Sequence, residues 1–150
     1  MDYRIVRTNS ENNDFRSLIS ELDKELSIRN GDTQFCYNVY NKIDWLETVI
    51  IAYAGSVAVG CCCFKQYNDS TAEVKRMFLN PGYRGKGLAG KMLHEIEIWA
   101  KEKGFRQAIL ETGLKMVEAI SVYKKSGYTV IPNYGQYADN ADSICFSKRL

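Results

Sequence analysis

Glycines at positions 82, 85, 87 and 90 punctuate residues 73–93, EVKRMFLNPGYRGKGLAGKML, where a β-rich segment runs through a loop straight into a helix. Amides at a helix N-terminus have no intrahelical acceptor and carry the positive end of the helix dipole, so a junction of this kind holds an anion. Glycine removes the Cβ that would stand between a phosphate and those amides. Phosphate binding is the chemistry expected of this stretch, and the open question is whose phosphate. Gly85, Gly87 and Gly90 satisfy G-x-G-x-x-G, and Glu111 follows about 20 residues later at a strand end, as in a dinucleotide fingerprint. That fingerprint needs its first glycine at the end of the first strand, whereas here residues 80–84 intervene and three strand segments precede the loop. The rest of the chain also cannot supply a doubly wound sheet of six strands. A P-loop fails because Leu88 stands where lysine is required after Gly82 and Gly87.

Other residue types capable of chemistry are less informative. Cys36, Cys61, Cys62, Cys63 and Cys145 are odd in number with three adjacent, which fits neither a disulfide framework nor a C-x-x-C metal knuckle. Cys61, Cys62 and Cys63 read as small core residues of a buried strand. His94, the single histidine, lies off the apolar face of its helix and reads as surface.

The elements that must position the loop follow from periodicity. Residues 3–7 are a short strand, and Asn12 or Asn13 caps a helix whose apolar positions are Phe15, Leu18, Ile19, Leu22 and Leu26. Asn30-Gly31-Asp32 breaks that helix, and 35–40 is short and aromatic. Segments 47–54 and 57–67 are β-rich and joined by Gly55-Ser56, a pair suited to a two-residue hairpin turn. A third strand, 71–79, leads to the loop. Beyond it, Ala89, Met92, Leu93, Ile96, Trp99 and Ala100 share one helical face, with Gly104 where a left-handed terminal residue is expected. A strand at 106–112, a helix at 116–126, and strands at 128–131 and 143–148 complete one α/β domain over residues 1–150.

Arg84, Gly87 and Ala89 spell R-x-x-G-x-A after Asn-Pro-Gly-Tyr at 80–83, and residues 119–128 read AISVYKKSGY. In these two motifs and in the order of its elements, the chain resembles the GNAT superfamily of N-acetyltransferases over nearly its whole length. The first motif is similar to the family's Q/R-x-x-G-x-G/A pyrophosphate loop and the second to its A-x-x-x-Y-x-x-x-G-F/Y segment. The resemblance implies an α+β fold: a mixed, mainly antiparallel sheet of six to seven strands flanked by about four helices, splayed where acetyl-CoA wedges in. Backbone groups of Met77, Phe78 and Leu79 would then pair with the pantetheine amides like an added strand, and amides of Arg84, Gly85, Lys86, Gly87, Leu88 and Ala89 would hold the pyrophosphate. Arg84 and Lys86 would add charge at the rim, with a solvated surface role as the alternative for Lys86. By resemblance Tyr123 is the general acid at the CoA sulfur, and a phenol with an ordinary pKa near 10 is protonated and able to donate. Glu73 is the base candidate, directly or through water, with Glu111 second; either can instead merely pair with Lys75 or Arg76. Relatives often carry asparagine where this chain has Met116, so a hydrogen bond normally made by that amide is not expected. Asn133, Tyr134 and Tyr137 border the region that receives acceptors in relatives, and Phe35, Tyr37 and Tyr40 invite the same assignment; in both groups packing alone is the alternative.

Composition bounds the rest. With 150 residues, 45% hydrophobic and 25% charged, the chain has the profile of an ordinary globular domain. A net charge of +2 does not argue for nucleic acid or a membrane. The apolar run 49–64 is broken at Gly55-Ser56 and is shorter than the roughly 18 to 20 residues a membrane helix needs. No signal-peptide pattern opens the chain, so a cytoplasmic location is expected. The expected function is acetyl transfer from acetyl-CoA to a primary amine, a small molecule or a peptide, without a metal. A non-catalytic acyl-CoA sensor is the alternative, and thiol release against an amine panel separates the two. Dimerisation is common in such relatives and is not legible in this chain.

Overall fold

The computed structural model describes residues 2–30 and 45–150. In chain order the elements are β1 (Tyr3–Thr8), α1 (Asn13–Asn30), β2 (Val49–Ala54), β3 (Val57–Asn68), β4 (Thr71–Leu79), α2 (Leu88–Glu102), β5 (Gln107–Gly113), α3 (Val117–Lys125), β6 (Thr129–Ile131) and β7 (Ser143–Arg149), with short 3₁₀ turns at Pro81–Tyr83 and Gly135–Tyr137. All seven expected strands form, in one sheet of order β1-β2-β3-β4-β5-β7-β6. Three α-helices stand among the described residues, against the four that the resemblance implied. Gly31, Asp32, Phe35, Cys36, Tyr37 and Tyr40 lie outside the described residues.

The sheet is buried on both faces, which is why its central strands read as near-continuous apolar runs. Side chains alternate along a strand. Val49, Ile51, Cys61 and Cys63 therefore meet Phe15, Leu18 and Leu22 of α1. Ile50, Ala52, Cys62 and Phe64 meet Leu88, Met92, Leu93 and Ile96 of α2 on the other side. The four described cysteines are free and buried, as expected of core residues. Helix α1 is capped by Asn12, whose Oδ1 accepts from the amides of Asp14 at 2.8 Å and Phe15 at 3.1 Å. Helix α2 ends at Gly104 with φ of 98°, the left-handed conformation that glycine adopts without strain. At Gly60 an added Cβ would sit 3.0 Å from the Phe78 carbonyl oxygen and 2.9 Å from Met92 Sδ, so glycine lets α2 approach the sheet.

Every neighbouring pair in the sheet is antiparallel except β4 and β5, which run parallel and pair only through Thr71↔Gln107, Ala72↔Ala108 and Glu73↔Ile109. Past Glu73 the two strands part. The cause is visible in β4: between Cys63↔Lys75 and Cys61↔Phe78, two residues of β4 oppose one of β3. This β-bulge places Arg76 at φ of 56°, outside the range most side chains tolerate, and bends β4 away from its neighbour. The Arg76 guanidinium, 6% exposed, donates to Asp23 of α1 at 2.6 Å and so ties the bulge to the helix that covers it. Strand β5 instead continues in unbroken register with β7, from Gln107↔Arg149 to Gly113↔Ser143.

Candidate active site

The parting of β4 and β5 opens a cleft through the sheet. Leu22 and Leu26 of α1 line one side, Glu73 and Met77 lie on the β4 wall, Glu111 and Gly113 on the β5 wall, and Tyr123 of α3 comes from the opposite face. The structure therefore brings together Glu73, Glu111, Met77, Tyr123 and Tyr137, all read from the sequence as site residues.

On the loop side, Asn80 Oδ1 accepts from the Gly82 amide at 3.1 Å and sets the turn that follows the strand. Gly85 and Gly87 then take φ of 78° and 82°, and a Cβ built on either meets nothing within 4 Å. The room that a phosphate needs beside these amides is therefore present. Gly87 caps α2 without any side-chain hydrogen bond, leaving the first-turn amides at Leu88 and Ala89 to an outside acceptor. Lys86 is exposed and its ammonium lies 5.6 Å over the Tyr83 ring, at the rim.

Arg84 is placed differently from the sequence expectation. Its Nε donates to the Leu79 carbonyl at 2.7 Å, and Nη2 forks onto Glu25 of α1 at 2.9 and 3.0 Å. The side chain braces the loop against α1, and the Leu79 carbonyl expected for pantetheine already accepts a hydrogen bond. The pairing was not legible because Glu25 and Arg84 are 59 residues apart.

On the α1 face, Glu73 is 2% exposed and Tyr134 donates its hydroxyl to Oε2 at 2.7 Å. Lys65 lies 3.9 Å from its other oxygen, whereas Arg76 turns to Asp23. Glu111 accepts from the Ser143 hydroxyl at 2.5 Å. Tyr134 packs edge-on against Tyr67 and Tyr137, with centroids 5.3 and 5.6 Å away. Hydrogen bonding to Glu73, burial and the carboxylate's charge all hold the Tyr134 phenol protonated, far above its ordinary pKa, with burial the largest cause. Asn133 has a different position from Tyr134: its amide donates to the carbonyls of Asn140 and Ser143, both at 3.1 Å, and staples the loop before β7. Met116, 8% exposed, lines the cleft as an apolar wall.

Tyr123 is 5% exposed and packs between Tyr128 and Phe146, centroids 6.0 and 5.9 Å away. Burial, then the charge of neighbouring groups, pushes its pKa well above that of a free phenol. The hydroxyl therefore stays protonated wherever acyl transfer would run. Behind it, Glu97 accepts from Tyr128 at 2.9 Å and from Lys148 at 2.8 Å, a buried polar set that no motif announced.

Residues 13–128 match the acetyltransferase (GNAT) family. The chain belongs to that family. It is 30% identical over 102 residues to the IAA acetyltransferase of Azospirillum brasilense, covering 67% of each chain. It spans about half to two thirds of the length of the first curated relatives it matches. A Klebsiella pneumoniae structure assigned as an acyl-CoA N-acyltransferase is 26% identical, with a TM-score of 0.81 over 99% of this chain and 97% of that one. The PaiA N-acetyltransferase of Thermoplasma acidophilum, solved with coenzyme A, superimposes with a TM-score of 0.70 at 22% identity over the full length of both. Among the described residues of this GNAT chain, no helix is long and apolar enough to cross a membrane.

Proposed function

We propose that this GNAT protein is an acetyl-CoA-dependent N-acetyltransferase that passes acetyl to a primary amine, a small molecule in preference to a peptide, by direct attack. The observation that carries the reading is the cleft past Glu73. It brings Glu73 from one face of the sheet and Tyr123 from the other to a single opening, and the strand that forms its wall, β4, leads through the glycine loop to the uncapped start of α2. The Thermoplasma protein of the same fold was solved with coenzyme A, which supports coenzyme A as a ligand for this chain.

The amides of Gly85 to Ala89 hold the pyrophosphate, and the edge of β4 that has left β5 takes the pantetheine arm. That edge runs along Met77 and Phe78, and the bulge turns Met77 out of the β3 ladder towards the cleft. The acceptor amine enters from the α1 face. Attack on the thioester carbonyl requires the amine to lose a proton, which Glu73 accepts. As the carbon–sulfur bond breaks, the leaving thiolate takes the proton of the Tyr123 hydroxyl. Tyr134 holds the Glu73 carboxylate in one orientation throughout, and Arg84 with Glu25 keeps the loop seated against α1.

Titration calorimetry with acetyl-CoA tests the reading. Saturable binding at micromolar to millimolar concentration is expected, and no heat across that range would contradict it.

A further inference from the structure

One feature of the cleft is not used by acetyl transfer itself. Lys75 stands two residues after Glu73, in the part of β4 that keeps regular register with β3: Lys65↔Glu73, Phe64↔Val74 and Cys63↔Lys75. Both side chains therefore leave the same face of the strand, with Cα atoms about 6.6 Å apart. Both line the cleft. The Lys75 ammonium donates to the Tyr137 hydroxyl at 3.4 Å, from a strand position that is only half-buried.

We infer that Lys75 is a second recognition point of the acceptor site, selecting amines that also carry a carboxylate, the amino-acid class, with the amine at Glu73 and the carboxylate at the Lys75 ammonium. The inference rests on the acetyl-transfer reading and names its substrate class. Three considerations support it. A simple alkylamine arrives as an ammonium and meets like charge at Lys75, whereas a zwitterion offers each end of the pair its complement. An ammonium that burial has partly stripped of water, as the lowered pKa of Lys75 reflects, interacts more strongly with an arriving anion than a surface lysine does. The carboxylates of the cleft are already held by hydroxyls, Glu73 by Tyr134 at 2.7 Å and Glu111 by Ser143 at 2.5 Å, so both are fixed in place as the amine end enters.

Matched pairs test this: L-phenylalanine against 2-phenylethylamine, and L-methionine against 3-(methylthio)propylamine, assayed by CoA thiol release with wild type, Lys75→Met and Lys75→Arg. Wild type is expected to favour the carboxylate-bearing member by about tenfold or more in kcat/KM, the scale of one charge-assisted hydrogen bond. Lys75→Met should bring the ratio towards one, and Lys75→Arg should restore part of it. A wild-type ratio near one in both pairs, or a preference that survives Lys75→Met, overturns the inference. If no amine is turned over, the acetyl-transfer reading is what fails, and calorimetry of L-phenylalanine on the acetyl-CoA-loaded protein then decides the subsite. Binding lost in Lys75→Met supports it; equal binding by both proteins, or none by wild type, overturns it.

Discussion

In the proposed reaction, Tyr123 and Glu73 divide the proton chemistry between the two faces of one sheet. Tyr123 is surrounded by Tyr128 and Phe146, and its raised pKa keeps it a donor. Replacing it with phenylalanine removes the hydroxyl and little packing, so kcat should fall about 10²-fold or more while KM for acetyl-CoA changes little. Steady-state rates check this, and a Tyr123→Phe protein with wild-type turnover and pH profile would exclude the general-acid role. Glu73→Gln preserves shape and can still meet the Tyr134 hydroxyl, yet cannot accept a proton. Its loss of kcat/KM should be largest at pH values where the acceptor is an ammonium, shrinking as pH rises towards the acceptor's own pKa. A deficit that is constant across pH would instead point to water or Glu111.

At the scale of elements, the decisive device is the β4 bulge, because it converts a parallel ladder of three pairs into a cleft. The sequence announces the elements on either side of it. The apolar alternation of β2 and β3, the glycine at 55 with φ of 60°, the Asn12 cap and the glycine loop were all readable. The bulge itself was not, since its left-handed residue is Arg76 rather than glycine, and its brace, Asp23, comes from a helix 53 positions away. Arg84 was misplaced for the same reason: a cation next to a glycine loop suggests phosphate, and only the packing of α1 shows that Glu25 claims it. Of the residues proposed for the acceptor side, Tyr134 and Tyr137 were named from the place of their loop in the resemblance, but their bonds to Glu73 and Lys75 depend on the loop before β7 folding back over β4. At the loop, Gly87→Ala puts a Cβ at φ of 82° into the space beside the amides. Left-handed strain of about 1 kcal/mol plus lost phosphate room should raise KM for acetyl-CoA about tenfold, with a smaller effect on kcat. An unchanged KM would place the pyrophosphate elsewhere.

Across the molecule, two cores on opposite faces of one sheet leave the described cysteines and several tyrosines protonated in the dark of the interior. Burial raises Cys145 to about 11 and Cys63 to about 12, from an ordinary 9.0. The folded state therefore binds more protons than the unfolded chain once pH passes the unfolded thiol value. Its stability is intact below about pH 9 and is lost progressively through 11 to 12, with the buried phenols adding to the loss. Urea midpoints at pH 8, 9.5 and 10.5 should fall in that order, and equal midpoints would contradict the burial of these groups. The central claim, that the cleft past Glu73 transfers acetyl to an amine, is tested most directly by CoA thiol release from acetyl-CoA across an amine panel. The structure predicts saturable, amine-dependent release with an N-acetylated product identified by mass spectrometry. Tight binding of acetyl-CoA with no amine-dependent release from any acceptor would contradict it.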